Sequence, residues 1–331
     1  MQTIYITEHG LHLKKKSNRI LVKKEGKTYE EIPVLDLKRL LIFGNCQVST
    51  DLMKFLASRG IEVAFLSGRG RFRFRLVPET SKNIYLRLAQ HDKFRDPAFR
   101  LRISRAIIKA KIKNQRGLLV RYRRNQPEMN LDHIIDALHG YHMEADSQGN
   151  LEALMGLEGL CSKTYFAGFA VLLKGGFHFE GRRYHPAPDP INALLSFGYM
   201  MVFNEIQGCL EAHGLDPFLG FLHGLRYGRA SLAADLVEVF RSPVVDRLVL
   251  YLINKKMIKE EYFEKKEKEI LLDDTGRKIF LANFENFMTA SFLDPAAGTR
   301  KNFRNILREQ VACLEKTLLH DIEYKPFEFS T

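Results

Sequence analysis

What most constrains this chain is a change of hydrophobic period near residue 80. Before it, apolar residues come in short strand-type runs at 3–7, 19–23, 39–43, 61–66 and 71–77. Residues 78–81 hold turn formers and no apolar pattern, and beyond them the spacing becomes 3.6 residues. Helices are predicted at 83–94, 97–124, 131–145, 150–173, 191–213, 231–254, 277–292 and 301–320. A length of 331 residues fits two domains, each able to bury its own core. The expectation is an α+β protein, with a mainly-β domain at 1–80 and a larger all-α domain at 81–331.

Local signals refine this outline. Ser49 can cap a helix carrying Leu52, Phe55 and Leu56, and Gly60 can end it, so one helix interrupts the strands. The alternation Arg71, Phe72, Arg73, Phe74, Arg75 predicts a strand with arginines on one face and phenylalanines in the core. Pro97 suits the first position of its helix, where a missing amide hydrogen costs nothing, and Gly214 suits a helix end. Residues 175–190 are rich in Gly, Pro, His and Arg and read as a long loop of the kind that often carries function.

Charge narrows the partner. The chain has 51 Lys and Arg against 39 Asp and Glu, a net +12, which points to a polyanion. Residues 93–124 alone hold twelve basic residues and one acid, Asp96. A basic run is often only a solvated helix face, but such a face normally mixes its signs, so phosphate binding is the favoured reading. Cys46, Cys161, Cys209 and Cys313 stand singly, without the pairing that zinc ribbons or redox motifs need, and read as reduced core residues. Residues 1–10 alternate like a strand, no apolar run reaches bilayer length, and tryptophan is absent. A cytoplasmic protein without membrane association is expected.

Three segments set ionisable residues in apolar surroundings, where a charge must be paired or bind a cation. The first, 151–165, places Glu158 after Met155, Gly156 and Leu157, with Tyr165 two turns on. The second, GLDPFLGFLH, turns through Asp216 and Pro217 and delivers His223. In the third, GRASLAADLVEVFR, Ser231 is the expected N-cap and Asp235, Glu238 and Arg241 follow at spacings of three. Taken singly, each reads as structure: a surface acid, a core histidine, a salt-bridge ladder. Together they offer two carboxylates and an imidazole, a set that suits Mg²⁺ or Mn²⁺.

In order and spacing these residues resemble the family of CRISPR-associated adaptation integrases, the subunit numbered one. The likeness is strongest over 154–166, 189–199, 214–223 and 231–250, where NALLSFGY, GLDPFLGFLH and SLAADLVEVFRSPVVDRLVL stand. The resemblance implies an N-terminal β domain for dimerisation and a C-terminal α-helical catalytic domain. It puts the metal ligands on Glu158, His223 and Glu238, with Asp235 as a neighbouring acid able to share the metal. Tyr165 and Arg241 are implied to contact phosphate or orient ligands.

The activity implied is insertion of spacer DNA into a CRISPR array, a 3′ hydroxyl attacking a phosphodiester at the repeat, with DNase activity when water attacks instead. Double-stranded DNA, a homodimer and a small dimeric second CRISPR-associated protein are the implied partners. Arg100, Arg102, Arg105 and Lys109 are the candidates for phosphate contact. The alternatives are a nuclease cutting branched DNA and a non-catalytic DNA-binding scaffold.

Overall fold

The computed structural model of the chain describes every residue except 1, 69, 77–82, 185, 267, 295–297, 330 and 331. Two compact units emerge: Met1–Thr80 with Leu272–Glu285, and Ser81–Leu271 with Asn286–Thr331. The boundary expected at 78–81 lies outside the described residues, as do Val77 of the last predicted strand and His185 of the predicted loop.

The first unit is built on eight strands in two sheets. These are β1 (Gln2–Ile6), β2 (Leu11–Lys16), β3 (Arg19–Lys24), β4 (Lys27–Pro33), β5 (Leu37–Phe43), β6 (Cys46–Val48), β7 (Glu62–Leu66) and β8 (Phe72–Leu76). One sheet runs β1-β5-β7-β8, with the first three parallel and β8 antiparallel at the edge. The other runs β4-β3-β2-β6, antiparallel except for β6 along β2. Glu25 and Gly26, both at positive φ, join Lys24 to its partner Lys27 in a two-residue turn whose twist suits a hairpin.

Helix α1 (Thr50–Ser58) begins as expected, its Ser49 Oγ accepting the Leu52 amide at 3.3 Å. Leu52 and Leu56 on its inner face join Leu13, Ile20, Leu40, Ile42 and Val63 in one core.

Strands β2 and β4 escaped the sequence reading because LHLKKK and KTYEEIP bury few residues and carry little alternation. The reading of β8 is corrected. Phe74 is 57% exposed and stacks on Phe65 with ring centroids 4.3 Å apart. Arg75 is buried, because Glu62 on β7 takes it at 3.4 Å together with Arg39 at 2.8 Å. An edge strand leaves its outer face to solvent, and a paired arginine tolerates burial better than a lone charge would.

The second unit is helical. Its helices are α2 (Ile84–Arg95), α3 (Pro97–Asn125), α4 (Asp132–Glu144), α5 (Leu151–Leu172), α6 (Pro190–His213), α7 (Ser231–Phe240) and α8 (Arg247–Asn254). Next comes α9 (Asp274–Thr289), whose first residues count with the first unit, and then α10 (Phe303–His320). Two short hairpins, β9 (Phe263–Lys266) with β10 (Glu269–Leu272) and β11 (Phe292–Asp294) with β12 (Thr299–Lys301), qualify the all-α expectation. Among the described residues no helix is long and apolar enough to cross a membrane.

The basic helix α3 is the centre of this unit. Asp96 caps it by accepting the Ala98 and Phe99 amides, Pro97 sits at its first position, and it packs against α2, α4, α5 and α7. Ile103, Ile107, Ile112, Leu118 and Leu119 are buried along it, and so are Lys111, Asn114 and Gln115.

The segment expected as one helix at 231–254 is three pieces, because Pro243 has no amide hydrogen to donate and a π-helical stretch, Arg241–Asp246, separates α7 from α8. Ala230, not Ser231, stands at the cap of α7; the Leu232 amide is satisfied instead by the Pro217 carbonyl at 2.9 Å. Gly214 ends α6 at φ 83° as predicted.

Helix α10 is fastened to α6 by a buried ion pair. Arg304 Nη2 lies 2.9 Å and Nε 3.2 Å from the Glu205 carboxylate, each side chain 4% exposed. Replacing Arg304 by Met should destabilise this unit by about 3–5 kcal/mol, since the carboxylate is left buried without its cation. Urea unfolding followed by circular dichroism checks this, and a loss under about 1 kcal/mol would show the pair to be solvated.

Candidate metal centre

Three helices bring charge to one point. Lys111 comes from α3, Glu158 from α5 and Glu238 from α7, and the Lys111 side chain is 2% exposed. Its ammonium forms an ion pair with Glu158 Oε1 and lies 2.7 Å from Glu238 Oε2. Ser162, one turn after Glu158, donates to the same Oε1 at 2.7 Å. Arg241 Nη1 holds the other oxygen of Glu238 at 3.2 Å.

The electrostatics follow from burial set against pairing. For Glu238, burial opposes the charge, but the Arg241 guanidinium and the Lys111 ammonium outweigh it and hold the carboxyl down at about 2. Glu158 is half-buried, which opposes its charge, yet Lys111 keeps it below the usual carboxylate range. Burial would strip the proton from Lys111, but Glu238 and Glu158 reverse that and hold it more firmly than in water.

His223 is positioned by Asp235. The fully buried Asp235 accepts the amides of Phe221 at 2.6 Å, Leu222 at 2.9 Å and His223 at 3.0 Å, and its Oδ1 lies 2.7 Å from His223 Nδ1. A carboxylate only accepts, so Nδ1 carries the proton and Nε2 keeps the lone pair of the neutral ring. Four donors thus meet the two oxygens of Asp235. The loop that bears His223 passes close to α7: a Cβ on Gly220 would stand 2.6 Å from the Ser231 carbonyl carbon, so only glycine fits there.

Tyr165 does not join the carboxylates. It is fully buried and its hydroxyl donates to Asp246 Oδ2 at 2.7 Å, while Tyr199 donates to Oδ1 at 2.5 Å. Burial raises the Asp246 carboxyl above its ordinary value, the two hydroxyls offsetting this in part. Arg241 stacks over Tyr199 at 4.7 Å and donates to the Tyr184 hydroxyl at 3.0 Å. The loop before α6 thus reaches the site through Tyr184 and through Arg182, which lies 5.3 Å over the Tyr199 ring.

The four basic candidates on α3 divide. Arg105 donates to the carbonyls of Ala145 and Gln148, and Lys109 pairs with Asp146 at 2.6 Å, so both brace the turn after α4. Arg100 stacks on Phe94 and donates to the Phe221 carbonyl, next to the His223 loop. Arg102 is exposed and lies over Phe99.

Lys111, Asp246, Tyr199, Arg182 and Tyr184 were not found as site residues from the sequence. Lys111 had a signal: it falls on the apolar stripe of Ile107, Ile108 and Leu118, where a solvated lysine has no place.

Does this set suit a divalent cation? Glu158 and Glu238 aim oxygens at one cationic point, and His223 keeps a nitrogen lone pair in reserve, an oxygen-rich set with one imidazole that fits Mg²⁺ or Mn²⁺. Among the described residues no three of His, Cys, Asp and Glu close on a single point, the position between the carboxylates being held by the Lys111 ammonium.

The family model for CRISPR associated protein Cas1 matches residues 4–286. The chain belongs to the Cas1 family. It is 34% identical to CRISPR-associated endonuclease Cas1 3 of Thermus thermophilus, over 98% of this chain and 96% of that one. A solved Cas1 protein from Thermotoga maritima superposes with a TM-score of 0.80 at 27% identity, covering 97% of both chains. A casposase bound to integration product shares the fold, with a TM-score of 0.84 at 22% identity over all of this chain and 96% of that one. The Cas1 match thus takes in Glu158, His223 and Glu238, and the α+β architecture is that of the family.

Two outcomes test this Cas1 site. Gly220→Ala should push the His223 loop off α7 and lower the thermal midpoint; an unchanged midpoint and unchanged His223 resonances in NMR would show that the loop yields freely. Glu238 has its folded pKa depressed to about 2 from an unfolded ~4.3. The stability it contributes is complete above the unfolded value and is lost as pH falls through the folded one. The advantage of the wild-type chain over Glu238→Gln in urea unfolding should therefore be full at about pH 6 and shrink steadily from about pH 4 towards pH 2. A gap independent of pH would count against the pairing.

Proposed function

We propose that this Cas1-family chain is a divalent-metal-dependent DNA integrase with associated endonuclease activity, acting through Glu158, His223 and Glu238. The observation that carries the reading is the convergence of two carboxylates, Glu238 buried and Glu158 half-buried, on one cation position, beside a histidine whose ring is oriented by Asp235. The name endonuclease carried by the Thermus relative supports it.

In this reading Mg²⁺ or Mn²⁺ would be held by Glu158, Glu238 and His223 Nε2, and would supply Lewis-acid stabilisation of charge on a scissile phosphate. The chain's own groups do the rest. Asp235 fixes the His223 tautomer and ring plane, so that Nε2 is the nitrogen left available to a metal. Arg241, stacked on Tyr199 and held by Tyr184, brings a fixed guanidinium beside Glu238, where a phosphate oxygen can be met by a planar fork. A 3′ hydroxyl of the incoming DNA attacks the repeat phosphodiester; the old phosphorus–oxygen bond breaks and leaves a 3′ hydroxyl on the cut strand. Water as the nucleophile gives plain cleavage, which is the nuclease reading of the same site.

Double-stranded DNA, a second copy of the chain joined through the β unit, and a small dimeric second CRISPR-associated protein are the proposed partners. Of the four basic candidates on α3, Arg102 is the better placed for phosphate, because Arg105 and Lys109 are engaged elsewhere and Arg100 is held by Phe94 and the Phe221 carbonyl.

The deciding experiment joins a labelled short duplex with 3′ hydroxyl ends to a repeat-bearing supercoiled plasmid, with Mn²⁺ or Mg²⁺. Glu158→Ala and His223→Ala should lose joined product by at least about 100-fold while DNA retention on a filter is unchanged. Normal joining by either variant would sink the assignment, and cut but unjoined strands in the wild-type chain would favour the nuclease.

A further inference from the structure

Lys111 stands where the carboxylates converge, and its chemistry does not match that of a passive core residue. It lies on the buried stripe of α3, and its ammonium touches Glu158 and Glu238 at once. Charge in the cluster is already balanced: two carboxylates face two cations, Lys111 and Arg241. A divalent cation added to that balance would leave the buried cluster with excess positive charge, which a low-dielectric interior resists.

One of the two resident cations has to give way, and the geometry separates them. Arg241 is clamped, stacked over Tyr199 at 4.7 Å and Tyr184 at 5.7 Å and bonded to the Tyr184 hydroxyl. Lys111 is a point charge on a flexible four-carbon stem, with no aromatic ring over it among the described contacts. Its ammonium hydrogen-bonds Glu158 Oε1 and lies in ion-pair reach of Glu238 Oε2, oxygens that a metal would need.

We infer that Lys111 is a resident competitor for the divalent cation: its ammonium keeps Glu158 and Glu238 convergent and neutralised, and metal binds by displacing it from between them. This rests on the reading of Glu158 and Glu238 as metal ligands given above. Lys111 is thus a positioning residue that sets metal affinity, trading tight binding for a site that stays assembled without the ion.

The test uses the full chain as wild type, Lys111→Met, Lys111→Gln and Glu158→Ala. Free Mn²⁺ is followed by its electron paramagnetic resonance signal, and the thermal midpoint is read in EDTA and in saturating Mn²⁺. Both Lys111 variants should bind Mn²⁺ at least about tenfold more tightly than wild type, an enthalpic and electrostatic gain of one removed positive neighbour. In EDTA their midpoints should fall below wild type, and Mn²⁺ should raise them by more. The Gln variant keeps a polar side chain between the carboxylates, so the comparison survives if the Met variant fails to fold. Mn²⁺ affinity equal to or weaker than wild type in the folded Lys111 variants, with Glu158→Ala losing the ion, would overturn the competitor role and leave the metal site standing. No Mn²⁺ binding by wild type or by either Lys111 variant would overturn the metal reading and this inference together.

Discussion

Buried charge governs the helical unit. Lys111 and Glu238, taken out of water, each carry a desolvation cost of several kcal/mol, and each is tolerable only while the other and the half-buried Glu158 are within reach. That mutual dependence fixes which turns of α3, α5 and α7 can face one another, because sliding any helix by one turn would strand a charge. Neutral polar contacts hold the same register. Asn114, one turn beyond Lys111, donates to the Val239 carbonyl at 2.9 Å, and Ser242 Oγ returns a bond to the Asn114 carbonyl at 3.1 Å. Asn114 also receives the Phe329 amide at 2.7 Å and donates to the Phe327 carbonyl at 3.1 Å, so the chain after α10 is tied to the turn of α3 that follows the charged one. Phe327 and Phe329 complete the seal by packing on Phe303.

Around this cluster, irregular backbone places the groups that regular helix could not. Pro243 forces the π-helical stretch between α7 and α8, with Arg241 at its start and Asp246 at its end. The first reaches Glu238; the second collects the hydroxyls of Tyr165 and Tyr199 from α5 and α6. On the opposite flank, the short loop before α7 turns three successive amides onto Asp235, a nest that a helix or strand could not form because their amides point elsewhere. The result is a histidine whose ring and backbone amide both bond to one carboxylate that the two preceding amides also hold.

Much of the fold was legible because it rests on local signals. Ser49, Pro97 and Gly214 act within a turn of where they stand in sequence, and all three do what their chemistry predicts. What escaped depends on partners distant in the chain. Strand β4 buries so little that its residues show no alternation, and it exists because β3 pairs with it. Arg75 is inside and Phe74 outside because Glu62 lies on the adjoining strand, a fact no period of two can express. Glu158 and Glu238 were visible as acids in apolar company, but the lysine that unites them looked like one more charge in a basic helix. Tyr165 was visible as a candidate, but its hydrogen-bond partner Asp246 lies 81 residues away.

The basic helix shows why a count of charge is a poor map of a nucleic-acid surface. Twelve lysines and arginines in 32 residues invite the picture of a ridge facing phosphate. In the fold, Lys111 is neutralised at the core, Arg105 and Arg116 donate to carbonyls, and Lys93, Lys109, Lys113 and Arg123 pair with acids from other segments. Paired charges cancel within a few ångströms and contribute little to the field a polyanion meets at a Debye length of about 10 Å. The net +12 must therefore be felt through the residues that remain at the surface, and on this helix Arg102, Arg121 and Arg124 are exposed alongside the paired Arg123. A helix can thus be the most basic stretch of a chain and spend most of that charge on holding itself together.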